Sequence, residues 1–308
     1  MPKLVRGPLR EVRSRLFDSA RWEEFRLRPD DIIIATYPKC GTTWMQRIVG
    51  MMVFQSAAPF PPHDISPWPD MRLRSLEETF ALAEGQTHRR FLKSHLPYDA
   101  LPIYEGVKVI HVARDGRDAA MSFHNHKVNY TPLALEAMSA FSIADPKFGD
   151  PYPPANPDPA QFFRDWLDGE EDSHGDPGAS FFHIEKSYWA ARSSPDLLLV
   201  HYNDLKKDRA GEMRRIADFL DIKVPDATWQ TIVAAADFEV MKGQASELMP
   251  SAAISWREGG DSFLHKGTNG RWRDTVAAED LKRYDARVKA EFEPELADWI
   301  ERGRLGAA

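Results

Sequence analysis

The sequence predicts an α/β protein with a central parallel β-sheet flanked by helices. Three short runs, 32–35, 107–113 and 197–201, are rich in β-branched and leucine residues, the composition of strands covered on both faces. Segments of helical character separate these runs, and this alternation is typical of parallel sheets. Each run also ends in polar or turn-forming residues. Because ligands of such sheets bind outside the carboxyl ends of the strands, one edge of the sheet is the predicted site.

Size and composition limit the classes of protein to consider. The chain has 308 residues, of which 43% are hydrophobic, enough for one large domain or two small ones. The net charge of -7 argues against a general nucleic-acid binder, so no nucleic-acid partner is expected. Cys40 is the only cysteine, which excludes an intrachain disulfide and is compatible with a reducing compartment. No signal peptide or membrane-length apolar run is visible, and the prediction is a soluble, cytoplasmic protein without a membrane partner.

The first strand leads into a turn that could hold an anion. Ile32 to Ala35 form the strand, and the segment 37–41 cannot continue it, because it contains a proline and ends in a glycine. Thr42 and Thr43 can then begin a helix. Free backbone N–H groups at a helix N-terminus, with Lys39 inside the turn, predict a phosphate or sulfate cradle.

The other elements follow in order along the chain. Residues 1–30 read as an N-terminal extension that packs on the domain, and a Pro-rich loop spans 59–69. Further strands are expected at 90–93, 107–113 and 197–201. The predicted helices are 75–83, 119–127, 159–167, 181–192, 210–220 and 280–303, the last with a break at Pro294. Residues 145–158 and 240–260 should be mostly loop.

Two further strand ends carry candidate functional residues. His95 could act as a general base near neutral pH, or it could simply hydrogen-bond within its loop. Arg114 and Ser122 could bind a phosphate together, but Arg114 could equally form a salt bridge with Asp115 or Asp118. No set of residues has the spacing of metal ligands, so no metal is expected.

The order of residues in the first turn disfavours two families of phosphate-binding enzymes. In a Walker A loop, the lysine follows the last glycine and a magnesium-binding Ser or Thr comes next, whereas Lys39 precedes Gly41. A cysteine phosphatase would use Cys40 with a lowered pKa at the helix N-terminus. The spacing from Cys40 to Arg47 does not match that family, and a small residue filling the turn is the preferred interpretation of Cys40.

Several segments resemble cytosolic-type sulfotransferases. Thr36–Trp44, with the preceding Arg26–Asp31, is similar to that family's 5′-phosphosulfate loop, and Lys93–Pro97 is similar to its catalytic-histidine segment. Val112–Asp118, together with Ser122, resembles its 3′-phosphate segment. Weaker similarities follow in family order, at 201–205, 238–241 and 266–272. The resemblance covers roughly residues 26–273 and implies a single P-loop-like domain, of three-layer α/β/α architecture, spanning 1–308.

The resemblance implies transfer of a sulfuryl group from 3′-phosphoadenosine 5′-phosphosulfate (PAPS) to a hydroxyl or amine, which leaves the bisphosphate PAP. It also implies that the reaction needs no metal ion. By position, His95 would be the base, Lys39 would neutralise charge on the leaving phosphate, and Lys93 would assist at the sulfuryl oxygens. In the family, the residue at Ser122 also restrains the lysine at Lys39. The implied cofactor-binding residues are Lys39, Cys40, Gly41, Thr42, Thr43, Trp44, Arg114, Ser122, Tyr202, Phe238, His265, Lys266 and Gly267.

Three positions depart from the family pattern, and one of them is Ala236, which replaces a usual threonine near the adenine. Cys40 stands where serine or alanine is frequent, and a thiol there could be oxidised. His265 replaces a usual arginine, which predicts weaker or more pH-dependent binding of the 3′-phosphate. The segment 271–276 only partly matches the family's dimer motif, so both monomer and homodimer are compatible with the sequence.

The acceptor is expected to be a small hydrophobic or aromatic molecule. The candidate lining residues could equally be core or loop packing; they are Phe60, Trp68, Phe80, Phe123, His126 and Tyr130. Residues 145–158 and 242–264 are expected to cover the acceptor. Two alternative functions remain: a non-catalytic protein that binds PAP or another nucleotide, and an ATP-dependent small-molecule kinase.

Overall fold

A computed structural model describes residues 2–169 and 175–306, so the predicted domain boundaries at 1 and 308 lie outside the described residues. Within this part of the chain, a parallel four-stranded sheet has the order β3-β2-β5-β6, and a small antiparallel pair joins β1 to β4. The strands are β1 Leu4–Arg6, β2 Ile32–Thr36, β3 Phe91–Ser94, β4 Ile103–Tyr104, β5 Lys108–Ala113 and β6 Leu197–His201.

The register of β2 brings the ends of its neighbours together. Every residue of β2 is buried, and Ala35 lies opposite Ser94 on one side and His111 on the other. Because all the pairings are parallel, the carboxyl ends of these strands reach the same edge. The chain leaves β2 towards β3 and leaves β5 towards β6, on the opposite side. The crevice between β2 and β5 is therefore a topological switch point, where ligands bind in such sheets.

Helices cover both faces of this sheet. Ile32 and Ile34 face the side on which α2 packs, whereas Ile33 and Ala35 face the opposite side. The predicted three-layer α/β/α architecture is therefore confirmed. The helices are α1 Arg21–Glu24, α2 Thr42–Phe54, α3 Pro62–Ile65, α4 Leu76–Glu84, α5 Gly116–Val128, α6 Pro132–Ile143, α7 Pro159–Asp168, α8 Phe181–Ala190, α9 Tyr202–Lys207, α10 Arg209–Phe219, α11 Asp226–Ala235, α12 Phe238–Gly243, α13 Ala245–Leu248, α14 Ala252–Ser255, α15 Gly260–Phe263, α16 Ala278–Glu291 and α17 Pro294–Arg302.

Several elements of the secondary structure differ from the sequence prediction, among them β1, β4 and α11, which it does not contain. Residues 240–260 were expected to be mostly loop, but short helices α12 to α15 occupy most of 238–263. Helices of four to six residues are too short to show a 3.6-residue hydrophobic period, which explains the wrong prediction. Helix α6 was not predicted either. Its sequence is apolar on several sides and has no clear polar face, so it carries no amphipathic signal.

The N-terminal segment packs against the main body of the protein. Leu16, Phe17, Trp22 and Phe25 are all buried in the core. Residues 145–158 are irregular, as expected. Asp145 forms an ion pair with Arg13 of the N-terminal segment and another with Arg72. Among the helices of the described residues, none has the length and apolar character of a membrane span.

A buried ion pair holds the amino end of the sheet, opposite to the predicted site. Asp31 precedes β2, Arg90 precedes β3, and both side chains are completely buried. The guanidinium of Arg90 meets the carboxylate through two nitrogens, with Nε 2.8 Å from Oδ1. Arg90 also donates to the carbonyl of Arg26 at 2.8 Å. This bidentate geometry fixes the start of β2 relative to β3.

Asp31→Ala should destabilise the fold strongly, because it leaves a buried guanidinium without this carboxylate. We expect the free energy of unfolding to fall by about 3–5 kcal/mol, measured by urea denaturation. Asp30→Ala is the matched control, since the neighbouring Asp30 is exposed; its effect should stay within about 0.5 kcal/mol. Equal losses in the two variants would contradict a special role for the buried pair.

Candidate functional site

The turn after β2 has an unusual backbone that forms a cradle. Lys39 and Gly41 both have positive φ, 69° and 115°, and Gly41 directly precedes α2. A Cβ at Gly41 would lie 3.2 Å from the ring of Tyr202, so a larger residue would crowd the loop. The Oγ1 atoms of Thr36 and Thr42 are 2.6 Å apart, which joins the strand end to the helix start. The first-turn N–H groups of α2 have no acceptor within the helix and can bind an anion.

Lys39 is half-buried, and its ammonium lies beside aromatic rings. It lies 4.3 Å from the ring centre of Phe263 and 3.4 Å from Nδ1 of His126. Burial, together with the positive charge of Arg114, lowers the pKa of Lys39 to about 7. An anion placed in the cradle would reverse this effect by favouring the charged form of the lysine.

His95 is held in one orientation at the end of β3. Its Nδ1 lies 2.7 Å from the carbonyl oxygen of Thr36. Because a carbonyl can only accept, Nδ1 must donate, and the lone pair of the neutral ring is therefore on Nε2. The ring packs against Trp68, with ring centres 4.9 Å apart, and is 5% exposed. This arrangement gives a buried imidazole that can accept a proton at Nε2.

Lys93 and Asp70 support the histidine. The ammonium of Lys93 lies 3.5 Å from the ring centre of Trp68, and burial lowers its pKa to about 7 although Asp70 opposes the shift. The carboxylate of Asp70 accepts from the indole N–H of Trp68 at 2.9 Å and from the backbone N–H of His95 at 3.3 Å. Sequence reasoning missed Asp70. The only available signal was a carboxylate two residues after a tryptophan in a Pro-rich loop.

Arg114 extends from the end of β5 and connects the cradle to a later loop. It donates to the carbonyl of Lys39 at 3.1 Å and to Oδ1 of Asn269 at 2.9 Å. Its guanidinium stacks 4.2 Å from the ring centre of Tyr202, and its Nε is buried without a hydrogen-bond partner. Asp115 pairs with Arg117 instead of Arg114. Arg114 is thus positioned to give a further hydrogen bond to a ligand.

The loop 265–271 closes over the same region. Gly267 has φ of 61°, and a Cβ there would lie 2.6 Å from the ring of Phe238. Its carbonyl accepts from the hydroxyl of Tyr202 at 3.2 Å. Trp44 contacts Tyr202 edge to face at 5.3 Å between ring centres. Three aromatic rings and a glycine therefore lie together in this part of the cavity wall.

His265 has a cationic neighbour that the sequence did not reveal. Nη1 of Arg271 lies 3.2 Å from Nδ1 of His265, and both residues line the same cavity. Burial and the charges of Arg271 and Lys266 lower the pKa of His265. At neutral pH, Arg271 therefore carries the positive charge at this position.

One cavity of about 690 Å³ contains most of the predicted residues. Its walls include the cradle, both buried lysines, His95 and the loop 265–271. The predicted residues that line it are Lys39, Gly41, Thr42, Thr43, Trp44, Trp68, Lys93, His95, Arg114, Ser122, Phe123, His126, Tyr130, Tyr202, Phe238, His265, Lys266 and Gly267.

Three predicted site residues lie outside the cavity walls. Cys40 is completely buried in the core, and burial raises the pKa of its thiol, so it is neither an acidified nucleophile nor part of the cradle surface. Phe60 packs on α2, where a Cβ at Gly50 would overlap its ring. Phe80 packs edge to face against Phe25. These three side chains pack in or against the core. The sequence prediction included them because a local apolar pattern does not distinguish a core side chain from one that lines a cavity.

The two segments expected to cover the acceptor differ in position. Several residues of 251–264 line the cavity, among them Trp256 and Phe263, whereas none of 145–158 does. That either segment moves to cover a bound acceptor stays a prediction. Within 2–169 and 175–306, no cluster of three or more His, Cys, Asp or Glu side chains is arranged to hold a metal ion.

Comparison with known proteins agrees with this geometry. The family model of the sulfotransferase domain matches residues 29–299. A glycolipid sulfotransferase of Mycobacterium bovis is 33% identical over 96% of this chain and 94% of its own length. Sulfotransferase 1A1 of Rattus norvegicus is 28% identical over 86% of this chain and 85% of its own.

A solved structure also has the same fold. Retinol dehydratase, crystallised with androsterone and the inactive cofactor PAP, superimposes with a TM-score of 0.69 at 23% identity, covering 90% of this chain and 84% of that one. Since the family model covers most of the sequence, the chain belongs to the sulfotransferase family and is an enzyme of the transferase class.

Proposed function

We propose that this enzyme transfers the sulfuryl group of PAPS to a hydroxyl, or an amine, of a hydrophobic acceptor and releases PAP. The observation that carries the proposal is the meeting of Lys39 and His95 in one cavity, at the carboxyl ends of adjacent strands. A protein that only bound PAP would have no need of a buried, oriented base. A magnesium-dependent kinase would need a metal ligand after the cradle lysine, where this chain has Cys40.

The residues present fit a 3′,5′-bisphosphorylated nucleotide. The cradle N–H groups, with Thr42 and Thr43, would hold the 5′-phosphosulfate. Arg114, whose Nε is buried and unpartnered, would hold the 3′-phosphate together with Ser122, Lys266 and Gly267. The rings of Trp44, Tyr202 and Phe238 would hold the adenine. When bound, PAPS would supply an activated sulfuryl group, whose bond to the phosphate oxygen breaks as the acceptor oxygen bonds to sulfur.

His95 would act as the general base. Its Nδ1–H is committed to the carbonyl of Thr36, so the proton of the acceptor hydroxyl would pass to Nε2. The resulting imidazolium would be stabilised by the same carbonyl. Trp68 and Phe17, which pack against the ring, restrict its rotation and exclude water from it.

Lys39 and Lys93 would neutralise the charge that develops during transfer. Lys39 lies inside the cradle, where negative charge accumulates on the departing phosphate oxygen. Lys93, held over Trp68, would face the sulfuryl oxygens. Both ammonium groups are already buried before any ligand binds, so little reorganisation is needed when the charge appears.

The acceptor would occupy the part of the cavity beyond His95. Trp68, Phe123, Tyr130 and Trp256 line the cavity, and Trp68 packs against His95, so aromatic surface is available to the acceptor. Apolar burial favours a phenol, a hydrophobic alcohol or an amphiphile over a charged sugar. The name of the mycobacterial relative, glycolipid sulfotransferase, agrees with an acceptor that has a large apolar part.

His95→Ala should lower kcat for sulfuryl transfer by about 10²–10⁴-fold, because it removes the base. Binding of PAP should persist, seen as a rise in melting temperature in the presence of PAP and EDTA. His124→Ala is the matched control, since His124 contacts the carbonyl of Asn156 and does not line the cavity. Full turnover by His95→Ala with every acceptor would exclude the base role. A wild type that binds PAP but transfers to no acceptor would instead favour a binding protein.

The affinity for PAP should fall as the pH rises from 7 to 9. In the free enzyme, Lys39 and Lys93 have pKa values of about 7 and lose their charge over this range, whereas a bound phosphate favours the charged forms. Binding of PAP is then accompanied by proton uptake. For each lysine that must be protonated, the affinity for PAP can fall by up to about tenfold per pH unit. The dissociation constant of PAP is measured by titration calorimetry. All pH values lie above about 6, the second pKa of a phosphate group, so that the charge of the phosphates stays constant. Lys39→Met should flatten the profile, because Lys39 lies in the cradle proposed for the phosphate that PAP retains; an unchanged slope in this variant would show that Lys39 does not cause the pH dependence.

Arg271→Ala should weaken PAP binding by about 10–100-fold, the effect of losing a charge-assisted hydrogen bond in the cavity. His265→Ala should have a smaller effect, because Arg271 supplies the charge at this position. The control is Arg273→Ala, since Arg273 is exposed and outside the cavity lining. A larger effect of His265→Ala than of Arg271→Ala would show that the charge is on the histidine.

A further inference from the structure

Large apolar side chains are exposed at the mouth of the cavity. Leu73, Leu133, Phe141 and Ile254 all line it, yet they are 42%, 60%, 36% and 61% exposed. They come from three separate parts of the chain and meet at one opening. Contiguous exposed apolar surface of this kind marks a binding surface more often than an accident of folding.

Helix α6 supplies most of this surface. Leu133, Ala137 and Phe141 follow one another at intervals of four residues and line the cavity at its open side. Ala134 and Met138 line it more deeply. Eight residues of helix separate Leu133 from Phe141, a distance of about 12 Å. We call this stripe, together with Leu73 and Ile254, the α6 track.

A series of packed residues leads from His95 towards the α6 track. The ring of Trp68 packs against His95, and that of Phe17 lies 5.5 Å from Trp68. The backbone of Phe17 pairs with that of Met71, and the guanidinium of the next residue, Arg72, stacks on Phe141 at 5.1 Å. Leu16, Phe17, Trp68 and Met71 all line the cavity. Apolar side chains therefore contribute to the cavity wall both beside His95 and near α6.

We propose that the α6 track holds the aliphatic chain of an amphiphilic acceptor whose hydroxyl lies at His95. This inference rests on the proposed sulfuryl transfer and names the class of acceptor. In an extended chain each carbon–carbon bond of about 1.5 Å advances the chain by about 1.3 Å, so a track of about 12 Å matches a segment of about ten carbons. Such a chain would cover Leu133, Ala137 and Phe141. A small phenol would fill the space near His95 and leave these residues in water.

The test is a series of straight-chain primary alcohols from four to fourteen carbons, each dissolved below the concentration at which it aggregates. With PAPS as donor, kcat/KM should rise about threefold to fourfold per methylene and level off once the chain passes the mouth. Ala137→Trp should make the rise stop at shorter chains, because the indole blocks the track. Ala140→Trp is the matched control on the same helix, since Ala140 is outside the cavity lining. Leu133→Ser, which adds no bulk, should lower the slope for long chains only.

Several outcomes would overturn the proposal. One is transfer that proceeds with no dependence on chain length; another is an equal response of the Ala137 and Ala140 variants. If no alcohol or phenol is sulfated, the proposed function fails first. The proposal for the α6 track is then tested separately by measuring the binding of the same alcohols without PAPS, with tryptophan fluorescence as the signal. Binding that strengthens with chain length and is reduced by Ala137→Trp supports the proposal. Absence of such binding overturns it. A wild type that sediments as a dimer and becomes monomeric in Leu133→Glu, with an unchanged chain-length slope, would assign the surface to self-association.

Discussion

The carboxyl end of β2 is the point on which the site depends. Thr36 ends this strand, and it makes two contacts at once: its carbonyl accepts from Nδ1 of His95, and its hydroxyl meets Thr42 at the start of α2. The base and the anion cradle are therefore tied to a single buried residue. Parallel pairing of β2 with both neighbours makes this possible, because it brings the ends of β3 and β5 to the same edge.

The second constraint is electrostatic. Two lysine ammonium groups are buried in one cavity without a carboxylate bonded to either in the described structure, and burial lowers both pKa values to about 7. Keeping these groups in the cavity costs stability in the free enzyme. An anionic ligand would offset that cost, in keeping with the nucleotide we propose. In the proposed reaction, the same groups would stabilise the leaving phosphate without further rearrangement.

The cavity wall has both polar and apolar parts. Arg114, Arg271 and the loop 265–271 supply polar groups, which would suit the nucleotide we propose. Trp68, α6 and α14 supply apolar surface, which would suit the proposed acceptor. His95 packs against Trp68, so an acceptor hydroxyl at its Nε2 would lie beside apolar surface. Exposed leucine and phenylalanine side chains at the mouth of the cavity are consistent with a ligand that completes the surface.

Local patterns in the sequence were sufficient for the fold class, the four strands of the parallel sheet and the nature of the first turn. A buried strand, a positive-φ turn and a helix start are determined by neighbouring residues, so the sequence alone was enough to select Lys39, His95 and Arg114. Their placement in one cavity agrees with that choice. Contacts between distant segments could not be predicted in the same way: Asp70 beneath His95, Arg271 beside His265, and the core positions of Cys40, Phe60 and Phe80. The direction of a side chain relative to a cavity depends on packing between elements far apart in the chain, and a single sequence contains no periodic signal for it.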